Sequence, residues 1–329
     1  MRRASGLQAR RRDHRPGARA RGLRRVVAGA AALALLVGCG DDAPEHAVEV
    51  SGVFGSAPTL VYEKPLVIDA ASARVIWEGD GVAATEGSTI LLNLYGQDAT
   101  DGSQIVNTHH ELPRAYTVTA DSLGGALHAA ILGHRAGSRI LVEEVSDGVP
   151  VVLVADTIAG RAQGDPVEAP KDLPAVVLDE AGAPTVTVPD TPAPAGVVVQ
   201  PLVRGRGNQV APGQTVVVQY TAVSWSTGAV IDSSWTQART PFTTIVGDSR
   251  PVAAWDEGLI EQTVGSQVLI VAPPASAYGG TTSEWAQDTI VFVVDILFAG
   301  TLAAPQDAGT PGSDEGPGDE PGDSGSGDE

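Results

Sequence analysis

The residue types that usually carry out chemistry are few in this chain. His109, His110 and Glu111 are adjacent, but neighbouring side chains on a strand point to opposite faces, so the three are not expected to hold a metal ion. The run Arg204-Gly205-Arg206-Gly207 precedes a predicted strand rather than a helix, so it is no dinucleotide loop. No nucleophile–base motif or phosphate loop is present, which disfavours a hydrolase or a transferase.

The most informative segments lie in the C-terminal half. They are, in order, GQTVVVQYTA, STGAVIDSSW, PF with a glycine five positions on, WDEGLIEQTVGSQVLIVAPPASAYGG and DTIVFVVDIL. Through these segments the region from about Val197 to Ala299 resembles the FKBP family of peptidyl-prolyl cis-trans isomerases. The resemblance implies an enzyme that rotates Xaa-Pro bonds and needs no cofactor and no metal.

The same resemblance implies where the proline of a substrate would bind. Trp255 would form the floor of a pocket under the proline ring. The walls would be formed by Tyr220, Phe242, Phe292 and Ile231.

Further roles at the rim of the pocket are implied by the resemblance. The Tyr278 hydroxyl would donate to one substrate carbonyl and the backbone N–H of Val252 to another. Asp232 would polarise the twisting amide or orient Tyr220. Tyr220, Asp232 and Tyr278 are therefore the candidate catalytic residues.

Each of these residues also has an ordinary structural interpretation. A tryptophan on a helix that faces a sheet, such as Trp255, is usually a core residue, and Phe292 fits a buried strand equally well. Asp232 could belong to a turn and Tyr278 could anchor a loop. Only their joint spacing favours a pocket.

The sequence also departs from the family pattern. The family usually has phenylalanine at Ile231, a second aromatic residue at Thr244 and glycine at Ala254. The segment from Tyr278 to Thr289 is about three residues short, and Trp285 would partly replace its apolar side chains. A thinner pocket wall keeps a second function open, that of a non-catalytic FKBP-like chaperone or protein-binding module.

Strands dominate the elements that must position these residues. β-branched runs bounded by glycine and proline predict strands, and one short helix is predicted over Pro251–Ile260, with proline in its first turn. The fold class is α+β, an antiparallel sheet wrapped on one short helix. The predicted strands are Thr215–Val223, Val230–Asp232, Gln267–Val271 and Thr289–Phe298.

The N-terminal half looks like a second copy of this unit. The segment Glu78–Leu94 aligns with Arg204–Tyr220 at an offset of 126, and Ala129–Val142 aligns with the region from Glu257 at an offset of 128. A last segment, Val151–Ile158, aligns with Ile290–Leu297 at an offset of 139. The sequence therefore predicts two tandem FKBP-like domains.

In this alignment the first copy lacks the pocket residues. Leu94 stands opposite Tyr220, Val106 opposite Asp232 and Leu127 opposite Trp255, and the eleven residues around Tyr278 have no counterpart. The first domain is accordingly predicted to be degenerate, with a structural or protein-binding role.

The N-terminus has the pattern of a lipoprotein signal. Thirteen apolar or small residues follow Arg24-Arg25 and end in Leu-Val-Gly-Cys, too short a run to span a bilayer. The ending resembles a bacterial lipobox, which predicts acylation of Cys39. An ordinary cleaved signal with an incidental cysteine is the alternative.

Charge and composition complete the organisation. The chain has 329 residues and a net charge of −19, and since residues 1–38 hold ten arginines, the remainder carries 11 basic against 39 acidic residues. Such a surface repels phosphate backbones, so nucleic acid is not an expected partner. We expect a monomer outside the cytoplasm, lipid-anchored to the cell membrane, that acts on proline-containing exported polypeptides. The predicted ranges are 1–38 (lipoprotein signal peptide), 39–47 (tether), 48–160 (degenerate domain), 161–171 (linker), 172–301 (isomerase domain) and 302–329 (disordered acidic tail).

Overall fold

The structure is a computed structural model that describes residues 47–236 and 240–301. The predicted signal peptide, Cys39 and the predicted acidic tail lie outside these residues. Within them, antiparallel sheets predominate and helices are few. None of the helices in this part of the chain is long and apolar enough to cross a membrane.

The N-terminal half, up to residue 159, contains eight strands and two short helices. The helices are α1 (Ala120–Leu123) and α2 (Gly125–Ile131). The strands are β1 (Glu49–Ser51), β2 (Thr59–Val61), β3 (Ser72–Trp77), β4 (Thr89–Asp98), β5 (Gln104–Asn107), β6 (Arg114–Thr117), β7 (Arg139–Ser146) and β8 (Val149–Ala159).

The C-terminal half contains nine strands, one α-helix and one turn of 3₁₀ helix. The helix α3 covers Ala253–Leu259 and the 3₁₀ turn Pro274–Ser276. The strands are β9 (Asp165–Pro166), β10 (Ala175–Leu178), β11 (Pro184–Thr187), β12 (Val198–Arg204), β13 (Thr215–Ser224), β14 (Val230–Ser233), β15 (Phe242–Ile245), β16 (Gln267–Ala272) and β17 (Ile290–Gly300).

Both halves use the same strand order. The first sheet runs β3-β7-β8-β4-β5, with β6 also paired to β4. The second runs β12-β16-β17-β13-β14, with β15 also paired to β13 and β9 added beside β12. Even the irregularities agree, since the β3–β7 and β12–β16 pairs both shift register one residue before the end of the ladder.

The helix predicted over Pro251–Ile260 begins two residues late and ends one residue early. Val252 is its N-cap residue, in an extended conformation with φ −145° and ψ 149°, so Pro251 lies before the helix. The first half has two short helices rather than one, joined at Gly124. The 161–171 segment, predicted as a linker, contains β9, which pairs with β12.

Each sheet is apolar on both faces because each face is covered. The inner face of the second sheet packs on α3, and its outer face packs on residues of the β10–β11 hairpin. The first sheet is covered in the same way by α2 and by the segment of the β1–β2 hairpin. Strands buried on both faces read as nearly continuous apolar runs rather than as alternation, which is the pattern of β16 and β17.

A small apolar cluster joins the two halves. It contains Leu91 and Ile158 from the first half and Val217, Leu297 and Phe298 from the second, among others. A hydrogen bond adds to this contact. The Gln163 side-chain carbonyl accepts from the Val82 N–H at 2.9 Å. The halves therefore share buried surface rather than being joined only by the chain.

Candidate functional site

An aromatic cluster lies between α3 and the inner face of the second sheet. Trp255 contacts Tyr220, Phe242 and Phe292 with ring centroids 5.5, 5.9 and 5.9 Å apart and interplanar angles of 75°, 89° and 90°. Tyr220 and Phe242 also meet edge to face at 5.8 Å. Edge-to-face pairs at these distances are favourable. The four aromatic residues predicted to form the pocket are therefore brought together.

Burial separates the floor of the cluster from its open side. Trp255 and Phe292 are each 1% exposed, whereas Phe242 is 36% exposed. Phe242 opens the strand β15, which pairs with β13. The buried Nε1 of Trp255 has no hydrogen-bond partner in the described part of the chain. The cluster is thus closed over its floor, and Phe242 lies at its accessible edge.

The start of α3 is held by a carboxylate rather than by an N-cap side chain. The two oxygens of Asp256 accept from the N–H groups of Gly247 at 2.6 Å and Ser249 at 2.8 Å. These bonds fix the loop before the helix. The Val252 N–H makes no hydrogen bond to any residue within 47–236 or 240–301, as is usual for the first amides of a helix. A donor is therefore available beside Trp255.

Tyr220 and Asp232 form the polar edge of the cluster. The Tyr220 hydroxyl donates a short hydrogen bond to the Asp232 carboxylate. The sheet sets this contact, because Asp232 in β14 pairs with Ala222, two residues from Tyr220 on the same face of β13. Asp232 lies on a strand and not in a turn, so the alternative interpretation of this residue is wrong.

The Tyr278 loop follows β16 and its 3₁₀ turn. The Gly279 N–H donates to the Pro274 carbonyl at 2.6 Å, and a Cβ on Gly279 would lie 2.4 Å from that oxygen, so the turn requires glycine. Tyr278 is half-buried and packs against the core cluster. Burial raises the pKa of its hydroxyl, and the Asp232 carboxylate raises it further, so Tyr278 remains a neutral donor near Asp232.

The remaining candidates line the same site. Ile231 is partly buried against the core cluster, as is Trp285. Thr244, where the family pattern has an aromatic residue, donates its hydroxyl to the Arg250 carbonyl at 3.1 Å and so contributes no ring. Every predicted site residue in the second half lies in or beside the aromatic cluster.

Sequence reasoning missed the residues that hold the loops. Asp288 accepts from the hydroxyls of Ser224 and Ser226, the latter at 2.9 Å, and fixes the end of the loop that carries Trp285. Asp256, which holds the loop before α3, was likewise not identified. Partners 9 and 62 residues apart leave no local pattern, so only the fold shows these bonds.

The N-terminal half has a different site at the equivalent place. Leu94 and Leu127 are buried at 7% and 5% exposure, and Val106 pairs with Gly96 as Asp232 pairs with Ala222. In place of the Tyr278 loop, β7 and β8 are joined by a tight turn at Asp147-Gly148, with φ of 52° and 83°. Asp-Gly is the residue pair that such a two-residue hairpin prefers.

No group of three His, Cys, Asp or Glu side chains that could hold a metal ion is found in the described ranges. His109 and His110 lie in a turn after β5 and not on a strand, so that part of the sequence argument was wrong. The pKa of His109 is lowered, chiefly by burial.

Comparisons with known proteins match the region that contains the aromatic cluster. The family model for FKBP-type peptidyl-prolyl cis-trans isomerases matches residues 207–297. A probable FK506-binding protein of Corynebacterium glutamicum is 33% identical over 118 residues, which are 35% of this chain and 98% of that protein. The chain belongs to the FKBP family.

Two further proteins are similar to part of the chain. The peptidyl-prolyl cis-trans isomerase FKBP1A of Xenopus laevis is 36% identical over 87 residues, 26% of this chain and 79% of that protein. The crystal structure of FkpA from Escherichia coli is 25% identical with a TM-score of 0.30, covering 41% of this chain and 54% of that one. That overall similarity is too low to argue from, so family membership rests on the sequence matches.

Proposed function

We propose that the C-terminal half catalyses cis-trans isomerisation of Xaa-Pro bonds. The observation that carries the proposal is the aromatic cluster. Trp255 contacts three other aromatic rings, and one of these, Tyr220, is hydrogen-bonded to Asp232. Family membership supports it, since relatives such as FKBP1A of Xenopus laevis are named as isomerases.

The chemistry demands little beyond such a pocket. Rotation of a prolyl bond crosses a barrier of about 18–20 kcal/mol because amide resonance is lost, and no bond to another group is made. The twisted amide has a smaller charge separation than the planar form, so a dry aromatic pocket favours it. Selective binding of the twisted form then lowers the barrier.

Named donors would hold the substrate in this pocket. The Val252 N–H, which lies at the start of α3 and has no hydrogen-bond partner among the described residues, would donate to one substrate carbonyl, and the neutral Tyr278 hydroxyl to another. Asp232 keeps the Tyr220 ring in place through its hydrogen bond. Holding the substrate on both sides of the rotating bond uses binding energy to orient the substrate in the pocket.

Opening of the pocket is assigned to Phe242. Because the Trp255 indole is 1% exposed, a proline ring reaches it only when a side chain above it moves. Phe242 is the most exposed member of the cluster, at 36%, and lies on a short strand paired with β13. A swing of this ring would admit proline without disturbing the buried Phe292.

The N-terminal half is proposed to be a second FKBP-like domain that has lost its pocket. Its strand order matches that of the C-terminal half, and α2 starts 128 residues before α3, which places Leu127 at the position of Trp255. The support is that the core cluster of this half is built mainly of aliphatic side chains, among them Leu94 and Leu127. Its role would be structural or protein-binding.

We further propose that the protein is an exported lipoprotein, anchored through Cys39, that assists the folding of proline-containing exported polypeptides. The support is the apolar run that ends in Leu-Val-Gly-Cys. Acyl chains on this cysteine would hold the protein at the membrane.

A second candidate function is binding of unfolded chains without useful turnover. It is favoured by the coverage of Trp255 and by the missing aromatic residues at Ile231 and Thr244. A protease-coupled assay with a proline peptide separates the two. We expect turnover that is linear in enzyme concentration, whereas peptide binding without any acceleration of isomerisation would establish the second function instead.

A further inference from the structure

The loop between β1 and β2 is held by a buried ion pair. Arg139 and Asp156 have fully buried side chains and are joined by two hydrogen bonds, of 2.5 and 2.7 Å. Arg139 also donates to the carbonyls of Val53 at 3.1 Å and Ser56 at 2.8 Å, while Asp156 accepts from the Gly55 N–H at 2.9 Å. The backbone of the loop is therefore fixed from both sides.

The ion pair of Arg139 and Asp156, called the clamp below, holds a loop whose exposed side chains are apolar. Val53 is 70% exposed and Phe54 is 42% exposed, although the backbone of their loop is hydrogen-bonded to the buried ion pair. Burying an ion pair is costly, and replacing it by apolar residues is often neutral or stabilising. Here such a pair fixes a loop that carries two exposed apolar side chains. This points to a role for those side chains in binding something other than the protein itself.

The corresponding hairpin of the C-terminal half lacks the clamp. Gln267 replaces the arginine, and Asp295, at the position of Asp156, accepts from the Ala162 N–H at 2.7 Å instead of from a hairpin loop. In its place the turn after β10 is closed by Asp179, which accepts from the Ala183 N–H at 2.8 Å. The clamp is thus a feature of the first hairpin only.

Three arginines share a cleft with Phe54 of the clamped loop. Phe54 lines a cleft of about 680 Å³ together with Arg135, Arg161 and Arg206. Asp80 is the acidic residue in this lining, and Asp165 pairs with Arg206 at 2.8 Å. Three arginines against these two carboxylates leave a small positive excess in the cleft, whereas the chain beyond residue 38 has 11 basic and 39 acidic residues.

We propose that this face binds the surface of an anionic phospholipid bilayer, with Val53 and Phe54 entering the interface and the arginines contacting headgroups. Exposed aromatic and aliphatic residues flanked by basic side chains are the usual features of interfacial binding. A fixed loop also loses little conformational entropy when it inserts.

The length of the N-terminal chain agrees with this placement. Eight residue steps separate Val48 from Gly40, which span at most about 29 Å when fully extended. Val53 lies five residue steps from Val48, at most about 18 Å along an extended chain. The chain is therefore long enough for the loop to reach the bilayer that a lipid on Cys39 would enter.

Vesicle binding of the unacylated protein tests the proposal. The chain from residue 39 with Cys39→Ser is mixed with vesicles of phosphatidylcholine and phosphatidylglycerol and sedimented. We expect binding that weakens with salt and that falls at least tenfold in the double variant Val53→Ser, Phe54→Ser. Phosphatidylcholine vesicles alone should bind at least tenfold less protein.

A matched control separates this loop from apolar exposure in general. Val177→Ser removes a side chain that is 67% exposed on the equivalent strand of the other hairpin, and should leave vesicle binding within twofold. Circular dichroism checks that the loop variant is folded. Absence of vesicle binding, or equal losses in the loop and control variants, would overturn the proposal. Proline-peptide turnover is measured separately, because vesicle binding does not depend on it.

Discussion

Asp295 makes the stability of the C-terminal half depend on pH in an unusual direction. Its carboxylate is 2% exposed and accepts from Gln267 at 2.8 Å and from the Ala162 N–H at 2.7 Å. Burial raises its pKa to about 6, against the lowering effect of these two bonds. Because the folded state holds this proton more tightly than the unfolded chain, the contribution of Asp295 is most favourable at low pH and is lost as the pH rises through 6.

The magnitude follows from the shift. A pKa raised from 3.8 to about 6 corresponds to about 3 kcal/mol between the fully protonated and fully ionised limits. Between pH 7 and pH 5 the part expressed is about 1.3 kcal/mol. The pH dependence of the whole protein is a sum over many groups, so the quantity to measure is the difference between the protein and an Asp295→Asn variant.

Urea unfolding followed by tryptophan fluorescence at pH 5 and pH 7 gives that difference. The change in unfolding free energy from pH 7 to pH 5 should be about 1 kcal/mol more favourable in the protein than in Asp295→Asn. Asp165→Asn is the matched control: the Arg206 side chain lowers the pKa of this exposed carboxyl, so it is ionised in both states from pH 5 to pH 7 and its replacement should leave the pH response unchanged. An equal pH response of the protein and Asp295→Asn would refute the reasoning.

Three further predictions concern the pocket and the anchor. Trp255→Ala should abolish proline-peptide turnover although the N-terminal half is intact, and should lower the unfolding free energy by about 3–5 kcal/mol because it empties a buried site; residual turnover would mean that the first half has a pocket. Tyr278→Phe should reduce kcat/KM by about 1–2 kcal/mol of transition-state binding with an unchanged Tm, and unaltered kinetics would remove its hydroxyl from the mechanism. Cys39→Ser should release the protein from the membrane fraction or leave the precursor unprocessed, and unchanged partition after washing would contradict acylation.

Much of the C-terminal site could be predicted because its spacing is fixed within short segments. Trp255 lies on a helix whose place follows from the WDEG run, and Tyr220 and Asp232 face each other because a short hairpin sets their register. The offset of 126 likewise placed Val106 at the position of Asp232, as the strand pairing shows.

What could not be predicted depends on contacts between distant residues. The clamp between Arg139 and Asp156 joins strands β7 and β8 to a loop more than 80 residues earlier. Trp255 is covered by aromatic rings from three strands, so no single segment of the sequence indicates how deeply it is buried. The start of α3 was misplaced because Pro251 was taken as its first turn, whereas the chain is still extended at Val252.

The cluster that joins the halves has a consequence for how each half can change. Leu91 aligns with Val217 at the offset of 126 and Ile158 with Leu297 at the offset of 139, and all four residues belong to that cluster. The halves thus meet through the same face, as two subunits of a symmetric homodimer would. In a homodimer every substitution occurs twice, whereas in a fused chain it occurs once. In the proposed tandem arrangement, a substitution at Leu94 or Leu127 therefore leaves Tyr220 and Trp255 of the other half unchanged.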